Sequence, residues 1–109
     1  MTKFDFGSVE TAFEADWPVA ASVPQDGGQV EEQTFTVRFK LLTDEEFDAV
    51  NAHKEPAKEL IRRSVVGFGK EESSPFSTEL LEKMLARGYL RIALNKAYGN
   101  FSMGIAAKN

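Results

Sequence analysis

The 109-residue chain contains no cysteine, one histidine and one tryptophan. Without thiols there can be no disulfide, no thiolate metal site and no cysteine nucleophile, which suits a reducing compartment. No run approaches the about 18 apolar residues of a membrane span. The opening residues, MTKFDFGSVE, lack the apolar core of a secretory signal. These absences lead us to expect a cytoplasmic protein that does not enter a membrane.

The scarcity extends to catalytic groups. His53 is the lone histidine, in NAHKEP, with Glu55 as its only evident partner and no nucleophile beside it. A metal site needs several ligands, and a catalytic histidine needs an orienting group, so His53 reads as a loop residue. The acidic run Asp44, Glu45, Glu46 and Asp48 falls in the first turn of a predicted helix, where negative charge is favoured without any cation. The glycine-rich stretch VVGFGKEESSPFS, residues 65–77, fails as a phosphate loop. Ser64 stands where the first glycine belongs, and Glu71 follows Lys70 where Ser or Thr would be needed. We therefore expect no enzyme, cofactor or metal.

What is present suits one globular domain. Residues are 42% hydrophobic and 28% charged, with nine phenylalanines to fill a modest core. Net charge is −4, but unevenly placed. Residues 1–54 hold 11 acids and 4 bases, net −7, whereas 55–109 hold 6 acids and 9 bases, net +3. Such asymmetry can steer one copy toward another. The basic half includes Arg62, Arg63, Lys70, Lys83, Arg87, Arg91 and Lys96, but the acidic total argues against nucleic acid as a partner.

Phe4, Phe6, Val9 and Phe13 lie in a polar N-terminal segment, where the Phe4/Phe6 alternation suggests a short extended piece. Asp26-Gly27-Gly28 signals a turn, because glycine tolerates the positive φ of hairpin loops. After it, Phe35, Val37 and Phe39 alternate with polar residues, placing three large groups on one sheet face. Trp17–Val23 is the natural partner strand, and Pro18 and Pro24 put it at an edge.

From Leu42 the period becomes helical. Thr43 and Glu46 form a capping box, with Leu42 and Phe47 at staple positions, for a helix over about 44–52. Pro56 begins the next helix, with Leu60, Ile61, Ser64 and Val65 inward and Gly67 as its stop. Ser77 caps a third, with Phe76 and Leu81 at staple positions and Leu80, Leu81, Met84 and Leu85 as its stripe. The fourth runs from Tyr89 to Tyr98, and the pattern dissolves after Gly99. The expected fold is α+β: one domain with a hairpin in 1–42, about four helices in 43–99, and a partly ordered tail in 100–109.

The ordered series FTVRFKLLT, TDEEFDAV, VVGFG, PFSTELLEKML, YLRIALNKAYGNF and terminal AAKN, over residues 34–109, resembles the tail assembly chaperones of long-tailed, lambda-like bacteriophages. One departure is Phe68, where that family often carries tryptophan after Val-Val-Gly. The resemblance implies a non-catalytic protein of the host cytoplasm, absent from the mature virion, that keeps the tape measure protein soluble during tail assembly. It implies self-association as well. A frameshifted extension beyond Lys108-Asn109 would recruit the tail tube protein. An alternative within phage morphogenesis is a structural or tail-completion protein retained in the virion. Aromatic groups beside arginines suit a helix-in-groove contact. The expected partner-binding residues are therefore Arg62, Arg63, Val66, Phe68, Phe76, Tyr98 and Phe101.

Overall fold

A computed structural model describes residues 1–107. It shows a mixed α+β fold, with a three-stranded antiparallel sheet in the order β1-β2-β3 and four helices. The strands are β1 (Glu14–Pro24), β2 (Val30–Lys40) and β3 (Val65–Phe68); the helices are α1 (Asp44–Ala52), α2 (Pro56–Ser64), α3 (Thr78–Leu85) and α4 (Gly88–Met103). The expected hairpin is present. Trp17 faces Val37 and Val19 faces Phe35 across it, and Gly27 and Gly28 take φ of 79° and 81° at its turn.

Strand alternation explains the layers. Val19, Ala21, Val37 and Phe39 are buried on one sheet face, and all four helices lie toward that core. α4 runs along β1, α2 packs on β2, β3 and α4, and α1 and α3 flank α2. The opposite face is polar where Arg38 meets Asp16 at 3.0 Å and Glu14 at 3.4 Å. Hydrophobic burial of Phe39, Ile61, Leu85 and Leu94 at the centre supplies the main folding drive.

The helix starts follow local chemistry. Thr43 Oγ1 accepts from Glu46 N–H, and Glu46 Oε1 accepts from Thr43 N–H, so the capping box is complete. Ser77 Oγ accepts from Leu80 N–H at the start of α3.

Two expectations fail at element boundaries. Gly67 does not end α2, which stops at Ser64; Val65–Phe68 instead forms β3. The physical reason lies in β2, whose second edge needs a partner. Val65 and Phe68 turn toward the core beside Phe39 and Val37, while Val66 is the extra residue of a bulge and faces solvent. Residues 100–103 are also helix rather than tail. α4 continues through Gly99 to Met103 because Tyr98 and Phe101 are both buried on its inner side. Gly104, at φ 69°, then closes it, with Ile105 N–H donating to Asn100 C=O at 2.9 Å. Lys108 and Asn109, on which the frameshift expectation rests, lie outside the described residues.

Candidate functional site

The seven residues expected to bind a partner do not form one surface. Tyr98 and Phe101 are core residues, 3% and 6% exposed. Phe39 contacts both rings, at centroid distances of 5.5 and 5.3 Å. Tyr98 also accepts a hydrogen bond from Leu42 N–H. Burial raises its phenol above the ordinary value, and the Leu42 bond offsets part of that rise. Neither ring can meet a partner without unpacking the domain, which removes both from the site.

Phe68 and Phe76 are half-buried and meet edge to face at 5.3 Å. They pack against the core, and Phe68 lines a small hollow of about 170 Å³ with Phe35, Leu80 and Met84. Their main contact is thus internal. Val66 remains exposed, on the bulge.

Arg62 and Arg63 form an ion-pair cluster. Arg62 binds Glu82 through two nitrogens at 2.7 and 2.9 Å, and Glu59 at 3.4 Å. Arg63 reaches Glu59 at 2.9 Å, and His53 Nε2 lies 3.6 Å from the same carboxylate. Burial pushes the Glu59 carboxyl upward, but Arg63 and Arg62 outweigh it and hold it below its usual range. Glu82 raises the Arg62 guanidinium above its ordinary value. This cluster ties α2 to α3, and its arginines are occupied. Among the described residues, no three His, Asp or Glu side chains converge as a metal set would. No helix among them is long and apolar enough to cross a membrane.

The uncovered apolar surface lies elsewhere. A short 3-10 turn, Phe6–Glu10, capped by Asp5, precedes β1, and none of its residues is buried. Phe4, Val9, Phe13 and Leu41 surround a hollow of about 600 Å³, with Lys40, Leu42, Thr43 and Glu46 completing its wall. Phe6 stacks edge to face on Phe4 at 5.3 Å. Phe6 is 78% exposed, Val9 72% and Phe4 59%. The wall is rigid where it matters: Leu41 N–H donates to Phe13 C=O, and Phe13 stacks on Phe101 at 5.8 Å. Lys40 pairs with Glu46 at 3.0 Å on the rim. The Thr43 N–H, helped by Lys40, holds the Glu46 carboxyl below its ordinary range. Phe4, Phe6, Val9 and Phe13 are not among the partner-binding residues expected from the sequence. The available signal was their position: four large apolar groups in a segment whose pattern offers no face for burial.

A second recess, about 470 Å³, runs between β1 and α4 and is lined by Trp17, Pro18, Ala20, Ala93, Lys96 and Ala97, among others. Trp17 meets Phe101 edge to face at 5.6 Å, and its buried Nε1 has no hydrogen-bond partner among the described residues. Comparison of the chain with known protein families, curated proteins and solved structures gives no match.

Proposed function

We propose that this chain is a tail assembly chaperone of a long-tailed bacteriophage. In this reading it binds the tape measure protein in the host cytoplasm and performs no chemistry. The observation that carries the binding role is the N-terminal hollow, where Phe4, Val9, Phe13 and Leu41 leave apolar surface uncovered around one concavity. Contiguous exposed apolar surface of this kind suits protein recognition. A hollow lined by aromatic and aliphatic groups takes the apolar stripe of an amphipathic helix. A long helical tape measure would present such stripes repeatedly, and a small chaperone could cover them in successive copies. The step from a helix-binding protein to this family rests on the ordered motifs of residues 34–109.

The test is co-expression with the tape measure protein of the same phage. The chaperone should move the tape measure from the insoluble to the soluble fraction, and purified virions should contain no detectable copy of this chain. A chain found stoichiometrically in virions would instead make it a structural tail component.

A further inference from the structure

We propose that the N-terminal arm, residues 1–12, is a hinged flap that closes on a helix seated in the N-terminal hollow and covers the flank that the hollow leaves in water. The inference rests on the helix-binding reading above and names the moving part of that site. The arm is tied to the domain at one end only. Asp5 C=O accepts from the Ser8 N–H and hydroxyl, Asp5 Oδ1 accepts from Gly7 N–H, and Ser8 C=O accepts from the Thr11 hydroxyl. Each of these bonds stays within the arm. Among the described residues, none of residues 1–12 hydrogen-bonds or ion-pairs with the rest of the domain, and all of them are exposed.

The two walls of the hollow therefore differ in freedom. Leu41, Leu42 and Thr43 form the fixed wall, where Leu42 N–H bonds to Tyr98 and Thr43 closes the capping box of α1. Phe4, Ser8, Val9 and Glu10 form the arm's wall. Between the 3-10 turn and β1 lie Thr11, Ala12 and Phe13, outside both elements. Phe13 is the anchor, through its C=O to Leu41 N–H and its ring on Phe101. Thr11 and Ala12 are thus the hinge, since residues at element ends absorb such rotations. A segment that buries nothing of its own moves at small free-energy cost.

Size and chemistry give the flap its task. Two turns of helix, about 10 Å across and about 11 Å long, occupy roughly 800 Å³. The hollow offers about 600 Å³, so in its present shape it takes one face of such a helix. Phe4 and Val9 line it from the arm, whereas Phe6 stacks on Phe4 outside it and is 78% exposed. Rotation about Thr11 and Ala12 brings the Phe4–Phe6 pair across the seated helix. Phe13 and Leu41 then meet one side of the helix, and Phe4 and Phe6 meet the other. The partner that gains from closure is a helix whose apolar arc is broader than a single stripe.

Binding kinetics of the full chain with two synthetic amphipathic helices test the flap. One peptide carries leucine at a and d of each heptad, and the other carries it at a, d, e and g. The wild type should hold the broad-arc peptide about tenfold longer than the narrow one. Phe6→Ser, an exposed change whose fold a thermal melt verifies, should speed dissociation of the broad-arc peptide about tenfold and leave its association rate unchanged. The narrow peptide should leave this variant at the wild-type rate. Amide exchange across Phe6–Glu10 should be fast in the free chain and slow with the broad-arc peptide bound. Dissociation that Phe6→Ser leaves unchanged overturns the flap, as does an equal acceleration for both peptides or protection of these amides in the free chain. If Val9→Asp and Leu41→Asp hold both peptides as the wild type does, the helix-binding reading of the hollow fails instead. A wild type that holds neither peptide overturns both.

Discussion

The backbone N–H of Leu42 donates to the phenol oxygen of Tyr98 at 3.0 Å, joining the end of the hairpin to the middle of α4. Leu42 is 9% exposed and Tyr98 3%, so water cannot easily replace this bond. Tyr98→Phe keeps the ring but leaves the Leu42 N–H without a partner. Chemical denaturation should show a loss of about 1–3 kcal/mol. An unchanged midpoint would mean that Leu42 finds another acceptor.

Much of this framework was legible because its signals are local. Thr43 and Glu46 stand at capping-box spacing, Ser77 precedes a clean apolar stripe, and Asp26-Gly27-Gly28 marks its own turn. Strand β3 was hidden because four residues carry no readable period, and Val65 fits a helix face as well as a strand. Only the open edge of β2, a long-range feature, decides between them. Gly99 read as a stop because glycine costs about 1 kcal/mol inside a helix, yet burial of Tyr98 and Phe101 outweighs that cost. The burial of Tyr98 and Phe101, both expected to meet a partner, was hidden for a related reason. Aromatic character does not distinguish Phe101, which the sheet covers, from Phe6, which stays 78% exposed.

Ser64 provides a second test of the core. It is fully buried at the end of α2, and its hydroxyl has no hydrogen-bond partner among the described residues. Ser64→Ala removes the orphaned oxygen and improves helix propensity, so stability should be unchanged or rise by up to about 1 kcal/mol. Destabilisation in urea would reveal that the hydroxyl does find an acceptor.

Gly69 lies against β2, donating to Thr36 C=O at 2.8 Å. A Cβ at this position would come within 2.7 Å of Thr36 Cβ and closer still to its methyl. Gly69→Ala should therefore displace the loop that carries Glu72, whose carboxylate accepts from Thr36 N–H at 2.6 Å. A loss of about 1–3 kcal/mol is expected, with faster amide exchange at Thr36. Wild-type protection at that amide would contradict the account.

Acid should weaken the fold through its paired carboxylates. Glu59, Glu46 and Glu82 all have depressed values in the folded state. Their contribution is present above the unfolded carboxylate range and disappears as pH falls through the lower folded values. Urea midpoints should hold down to about pH 5 and fall below about pH 4. Glu59→Gln should flatten part of that decline. Midpoints that rise on acidification would show that these pairs contribute nothing.

The most direct test of tape measure binding is capture of purified tape measure segments by the wild type and by Val9→Asp and Leu41→Asp. Both side chains are exposed, so the variants should fold and melt like the parent. The account predicts that wild type retains the segments and that each charge placed in the hollow weakens retention about tenfold or more. Retention at wild-type strength by both folded variants would contradict it.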